Sequence, residues 1–168
     1  SDRVSDLAFV RINPPPVNSL RWYYRPRLSS TLRPLGAFGL KGDHLAPGRW
    51  LSVDGTSAGV VSLNPEGTID WRIRTREGTE HVFQLGTGKD IVVSGGDFDG
   101  SGLLDSCVVS SRRSRLTWKI CTDPFPASNA SCRELQWGKG GDMVFFARVA
   151  SGRDALGLLR SSKTGRTV

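Results

Sequence analysis

The segment Gly96-Asp97-Phe98-Asp99-Gly100-Ser101-Gly102-Leu103-Leu104-Asp105 sets three carboxylates within nine residues. Carboxylates held so close repel one another unless a cation lies among them. Calcium takes six to eight oxygens at about 2.3 to 2.6 Å, and alternating side chains in a tight, Gly-broken loop point several of them inward. On that chemistry Asp97, Asp99 and Asp105 supply charge, Ser101 a hydroxyl or a bridging water, and Leu103 its backbone carbonyl, while Gly100 and Gly102 permit the turn. With only three acids the expected affinity is weak, roughly 10⁻⁴ to 10⁻³ M, as in other extracellular modules. The same residues also fit an ordinary Asp/Gly hairpin turn that needs no metal.

Three cysteines occur. Cys121 and Cys132 lack the paired short spacings of a zinc site and are expected to close a loop disulfide. Asn129-Ala130-Ser131 is an N-glycosylation sequon inside that loop. Sequon and disulfide together indicate an oxidising compartment, hence an extracellular or cell-surface location. Cys107, inside the apolar run Cys107-Val108-Val109, reads as a buried free thiol acting as a small hydrophobe. The two histidines, His44 and His81, adjoin neither a nucleophile motif nor a carboxylate pair, so no catalysis is expected.

The elements that must position these residues follow from composition and periodicity. The chain carries 20 Gly and 9 Pro, regularly placed strand-like runs and almost no helical periodicity, which favours an all-β repeat protein. No apolar run approaches the roughly 18 residues of a membrane-spanning helix. Twenty-three Lys and Arg against 16 Asp and Glu give a net charge of +7. The basic residues are scattered, however, and the densest group, Arg112, Arg113 and Arg115, falls in an expected hairpin turn without the interleaved aromatics of a nucleic-acid groove. Nucleic acid is therefore not an expected partner. The first residues, Ser1-Asp2-Arg3-Val4, show neither an initiator Met nor a signal peptide, as expected of a mature or partial chain.

An internal repeat organises the sequence. Trp22, Trp71 and Trp118 centre three similar segments, Leu20–Tyr24, Ile69–Ile73 and Leu116–Ile120, and lie 49 and 47 residues apart. Each is preceded, across a turn, by an apolar strand: Leu7–Val10, Ala58–Val61 and Ser106–Val109; Leu156–Leu159 is a fourth copy. The turns are Asn13-Pro14-Pro15-Pro16-Val17-Asn18, Asn64-Pro65-Glu66-Gly67, Arg112-Arg113-Ser114 and Ser162-Lys163-Thr164-Gly165. A second marker precedes each pair: Phe38-Gly39 through Asp43, Leu85-Gly86 through Asp90, and Trp137-Gly138 through Asp142, followed by a short strand reaching Trp50, Phe98 or Val149. Repeats of about 50 residues with four antiparallel strands are the blades of a β-propeller. On this periodicity residues 1–168 form part of one propeller domain, with a partial blade at 1–34, blades at about 35–80 and 81–133, and an incomplete one at 134–168. That amounts to about three and a half blades, with the remaining strands expected from a longer polypeptide or another chain.

These residues resemble the FG-GAP or VCBS-type repeats of integrin-like β-propellers. Phe38-Gly39 and Trp137-Gly138 match the opening aromatic-Gly pair, Leu85-Gly86 matches it less well, and the segment 96–105 matches the acidic calcium loop. The counterparts of that loop have lost ligands: Arg49-Trp50-Leu51-Ser52-Val53-Asp54 places Arg where the first Asp belongs, and Arg148 to Asp154 keeps only a trailing carboxylate, so both are expected to fold metal-free. Asp2 and Asp6 align with the end of another loop and read either as half a site or as surface acids. The resemblance implies a non-catalytic extracellular module for protein–protein adhesion or structural assembly, stabilised by Ca²⁺. The alternative is a glycan-binding, lectin-like propeller or the accessory binding module of a secreted enzyme. Exposure of Trp50 or Trp137 in a cluster with acids or amides would favour glycans, and burial of every Trp between blades would favour the structural role.

Overall fold

A computed structural model describes residues 7–25, 31–52, 55–75, 77–122, 131–149 and 152–161. The strands are Leu7–Ile12 (β1), Ser19–Arg25 (β2), Arg33–Leu40 (β3), His44–Leu45 (β4), Ala58–Leu63 (β5), Thr68–Arg74 (β6), Glu80–Thr87 (β7), Ile91–Gly96 (β8), Asp105–Arg112 (β9), Arg115–Cys121 (β10), Cys132–Lys139 (β11), Met143–Arg148 (β12) and Asp154–Leu159 (β13). Every pairing is antiparallel between strands consecutive in the chain. The strands form four sheets: β1-β2-β3, β4-β5-β6-β7, β8-β9-β10-β11 and the hairpin β12-β13. The expected all-β architecture is present, and no α-helix occurs among the described residues.

Local sequence dictates the hairpins. Asn64 Oδ1 accepts the amides of Glu66 and Thr68, both at 3.0 Å, and Gly67 supplies a φ of +85°, which closes the β5–β6 turn. Arg113 and Ser114 take φ values of +50° and +65° in the two-residue turn between the paired Arg112 and Arg115. Positive φ at both central residues matches the right-handed twist of the flanking strands. The basic group around this turn is exposed to solvent. Cys121 and Cys132 are direct partners across β10 and β11 and are disulfide-bonded. Closing so short a loop stabilises on the order of 2 to 3 kcal/mol in the chain-entropy account. Asn129 lies outside the described residues, as do Asp2, Asp6, Asp54 and the turn at 162–165.

The three repeat tryptophans occupy equivalent environments. All are buried, and each indole N–H donates to the carbonyl that opens a marker: Trp22 to Phe38 at 2.7 Å, Trp71 to Leu85 at 3.1 Å and Trp118 to Trp137 at 2.8 Å. The next residues, Gly39, Gly86 and Gly138, have φ of +87°, +92° and +99°. A Cβ there would come within 2.7 Å of Val60, 3.1 Å of Val108 and 2.8 Å of Leu158. Only glycine lets the marker strand lie this close to the following sheet. The marker then ends in an Asp-capped turn, in which Asp43, Asp90 and Asp142 accept the amides of Leu40, Thr87 and Lys139 at 2.9, 2.8 and 2.8 Å.

The sheets are offset from the sequence repeat. The markers do not open a unit; they lie in β3, β7 and β11 and close one sheet before the chain crosses to the next. The sheets therefore run 44–87 and 91–139, out of phase with the divisions at 35–80 and 81–133. The physical reason is that β7 and β11 pair with the Trp strands before them, so hydrogen bonding keeps each marker with the preceding hairpin.

The core lies between successive sheets. Ile69, Trp71, Ile73, Phe83 and Leu85 of the second sheet pack with Val108 and Cys121 of the third. Cys107, Val109, Leu116, Trp118 and Ile120 on the third sheet's other face pack against Val144, Phe146, Leu156 and Leu158 of the last hairpin. Covered on both sides, β9 is buried continuously from Asp105 to Val109, which is why Cys107-Val108-Val109 reads as an apolar run rather than an alternating one. Trp50 is fully buried, with its ring edge-on to Trp71 at 5.7 Å. Trp137 remains 44% exposed.

Candidate metal centre

The acidic loop joins β8 to β9 at a point fixed from two directions. The β8–β9 register shifts between Val93 and Gly96, and Gly95 in that bulge has a φ of +57°. A Cβ on Gly95 would lie 2.8 Å from the ring of Trp50, so the tryptophan of the second sheet packs directly on the bulge. At the loop's far end the Leu104 amide donates to the Arg49 carbonyl at 2.8 Å.

Within this frame the aspartates organise the backbone. The two carboxylate oxygens of Asp97 accept the amides of Gly100 at 2.8 Å and Gly102 at 3.1 Å. Asp105 Oδ2 accepts those of Phe98 at 2.7 Å and Asp99 at 3.3 Å. Asp99 Oδ1 accepts the Ser101 amide at 2.8 Å, and Ser101 Oγ accepts the Leu103 amide at 3.3 Å. Positive φ at Gly100 and Gly102, +84° and +88°, turns the chain back on itself. The expected residues are thus in one loop, and ligand oxygens of Asp97, Asp99 and Asp105 lie within 4.8 Å of one another.

Asp97 and Asp105 are buried and Asp99 is exposed. Burial is the main reason the Asp105 carboxyl is pushed up to about 6, with added repulsion from Asp99 and Asp97 only partly offset by hydrogen bonds from the Phe98 and Asp99 amides. The Ser101 amide holds the Asp99 carboxyl below its usual range. Asp105 Oδ1 is buried and has no hydrogen-bond partner. An orphaned acceptor that faces no donor but belongs to a three-carboxylate cluster fits a hard cation bound through oxygen. The three carboxylates would supply the charge, with Ser101 and the Leu103 carbonyl as the expected neutral ligands.

Residues of the neighbouring hairpin also meet this loop, and nothing in their spacing along the chain signals it. The Asp97 amide donates to Asp154 Oδ2 at 2.8 Å, and the Asp154 amide returns a bond of 2.8 Å to the Asp97 carbonyl. Arg148 lies 3.6 Å from Asp97 Oδ2 and 3.4 Å from Asp154 Oδ1. Arg153 packs over Gly100, where a Cβ would lie 2.9 Å from its Nε. Asp154 is therefore not simply a trailing ligand of its own degenerate loop. Val60, Val108 and Leu158 share one position above the marker glycines, and three residues before each stand Ser57, Asp105 and Ala155. By that register Ala155 is the counterpart of Asp105, while Asp154 serves the preceding loop.

Cys107 is free and buried, and its thiol is pushed up to about 12, chiefly by burial. That leaves it protonated and inert as a nucleophile. His44 and His81 sit on β4 and β7, the opposite edges of one sheet. No protein-family model, curated protein or solved structure matches this chain.

Proposed function

We propose that the chain is a run of stacked blades from an extracellular β-propeller, acting as a non-catalytic module for adhesion or structural assembly. The observation that carries this reading is the threefold recurrence of one sheet-to-sheet contact, Gly39 under Val60, Gly86 under Val108 and Gly138 under Leu158. Units that bury their faces only against like units stack radially into propellers. The disulfide is compatible with an oxidising compartment. Burial of Trp22, Trp50, Trp71 and Trp118 supports a structural role, whereas the 44% exposed ring of Trp137 is the feature that favours the lectin alternative.

The partner in this reading is a further blade, from the rest of a longer polypeptide or from another extracellular chain. On β12 and β13 the inner residues Val144, Phe146, Leu156 and Leu158 face the third sheet. On the outer face Met143, Phe145 and Leu159 are 65%, 45% and 38% exposed. The corresponding outer face of the third sheet is covered. Residues 1–168 alone should therefore self-associate, and Phe145→Glu should shift them toward monomer in sedimentation velocity. A wild-type chain that stays folded and monomeric at high concentration contradicts the module reading.

Calcium is the ion we assign to Asp97, Asp99 and Asp105, supported by the all-oxygen donor set and the orphaned Asp105 Oδ1. Binding to the folded state alone should raise Tm with calcium concentration by mass action. At ten times Kd the gain is about 1.4 kcal/mol. Asp99→Ala should lose that response, since it removes one of the three carboxylates. Calorimetry in calcium and in chelator tests this; identical wild-type melts in both remove the metal.

A further inference from the structure

We propose that Arg148 is an internal counter-ion of the acidic loop, which an entering metal ion must displace, so that Arg148 sets the affinity of the site. The inference rests on the metal-binding reading above and concerns a residue outside the loop. Asp154 holds the guanidinium in place. Its amide and carboxylate both bond the main chain of Asp97 at 2.8 Å, while its Oδ1 lies 3.4 Å from Arg148 Nε. From that anchor Arg148 Nη2 stands 3.6 Å from Asp97 Oδ2, an oxygen that also accepts the Gly102 amide. Asp97 is tightly held, its side chain only 4% exposed, while the Arg148 side chain is 53% exposed.

The asymmetry decides which group moves. A divalent ion bound by Asp97 would stand within a few ångströms of the guanidinium, where like charges repel strongly at the dielectric of a protein surface. Asp97 cannot leave, because both its oxygens tie down the loop and its main chain is bonded to Asp154. Arg148 can swing into water at little cost, since more than half of its side chain is already there. Arg153, lying over Gly100, adds a second positive charge that helps hold the Asp99 carboxyl down. In its own copy of the repeat Arg148 occupies the place of the first aspartate. The substitution that removes a ligand from one loop thus neutralises part of the next. Because coupling between two cations at one carboxylate is reciprocal, metal binding loosens Arg148 by the same factor that Arg148 weakens metal.

The test is calorimetric titration of the full chain with calcium chloride at pH 7.5, for wild type, Arg148→Gln and Arg112→Gln. Arg112 lies exposed near the β9–β10 turn and removes the same net charge. Arg148→Gln should bind calcium about tenfold more tightly than wild type. The gain should shrink with added salt, and Arg112→Gln should bind like wild type. In wild type the Nε–H resonance of Arg148 should move as calcium saturates. Equal or weaker binding by Arg148→Gln, with wild type binding, overturns this proposal and leaves the metal site standing. A gain shared by Arg112→Gln also overturns it, since net charge then suffices. No binding by either wild type or Arg148→Gln overturns the metal reading itself, and this inference with it. Should Arg148→Gln fail to fold, Arg148→Met keeps the aliphatic stem and carries the same expectations.

Discussion

Replacing Trp71 by alanine should destabilise the protein by about 4 kcal/mol. The side chain is fully buried, stacks on Phe83 at a ring separation of 5.6 Å, meets Trp50 edge-on at 5.7 Å and donates its indole N–H to the Leu85 carbonyl. Truncation leaves a cavity between two sheets that the disulfide-linked β10–β11 pair and the short β4 strand cannot collapse to fill. It also orphans the Leu85 carbonyl, which alone costs about 1 to 3 kcal/mol when buried. Trp71→Phe keeps most of the packing and loses only the bond and part of the ring, so it should fall near the lower end of that range. Trp137→Ala is the internal control. Its ring is 44% exposed and rests on Trp118 at 6.1 Å, so its loss should be under half as large. Denaturant midpoints for the three variants check the ranking. Equal losses for Trp71→Ala and Trp137→Ala would mean that the repeat tryptophans are not the inter-sheet core.

What made Trp71 legible in the sequence was local chemistry repeated at a fixed interval. The Asn64 to Gly67 turn, the apolar strand before it and the Trp strand after it each act on neighbours a few residues away, so one copy could be read against the next. The disulfide was legible for a related reason, since Cys121 and Cys132 end adjacent strands and face each other across the ladder. The sheet boundaries were not. Whether Leu85-Gly86 begins a unit or ends one depends on which strand β7 pairs with, and that choice leaves no trace in spacing. The cationic side of the acidic loop was hidden for the same reason: Arg148 and its anchor Asp154 are remote from Asp97 in the chain and meet it only because one sheet stacks on the next. The three aspartates announced themselves by type and interval. The groups that balance their charge did so only in three dimensions.

That balance predicts an inverted pH response. In the absence of calcium, stability should fall as pH rises from about 4 to 6. Asp105 titrates near its ordinary value of 3.8 in the unfolded chain and at about 6 in the folded protein. Between those values the folded state holds the extra proton, so the unfolded state gains relative stability with every step toward alkaline. The shift corresponds to at most about 3 kcal/mol at neutral pH. Asp142 works in the opposite sense and in a lower window: hydrogen bonds from Arg160 hold it down to about 2, and its contribution is lost only as pH falls from about 4 toward that value. Asp105→Asn isolates the effect. Its amide oxygen can accept the Phe98 and Asp99 amides as Oδ2 does now, and its NH₂ takes the place of the orphaned Oδ1, beside two carboxylates. The variant should be more stable than wild type at pH 7 in chelator, flat from pH 4 to 6, and indifferent to calcium. Saturating calcium should remove the wild-type decline, because the ion replaces the proton as the partner of Asp105, and its affinity should fall as pH drops below about 6. Denaturation curves of both proteins at pH 4, 5, 6 and 7, with and without calcium, check each part. If metal-free wild type instead gains stability across that range relative to Asp105→Asn, the Asp105 carboxylate has a cationic partner of its own, and the calcium assignment fails.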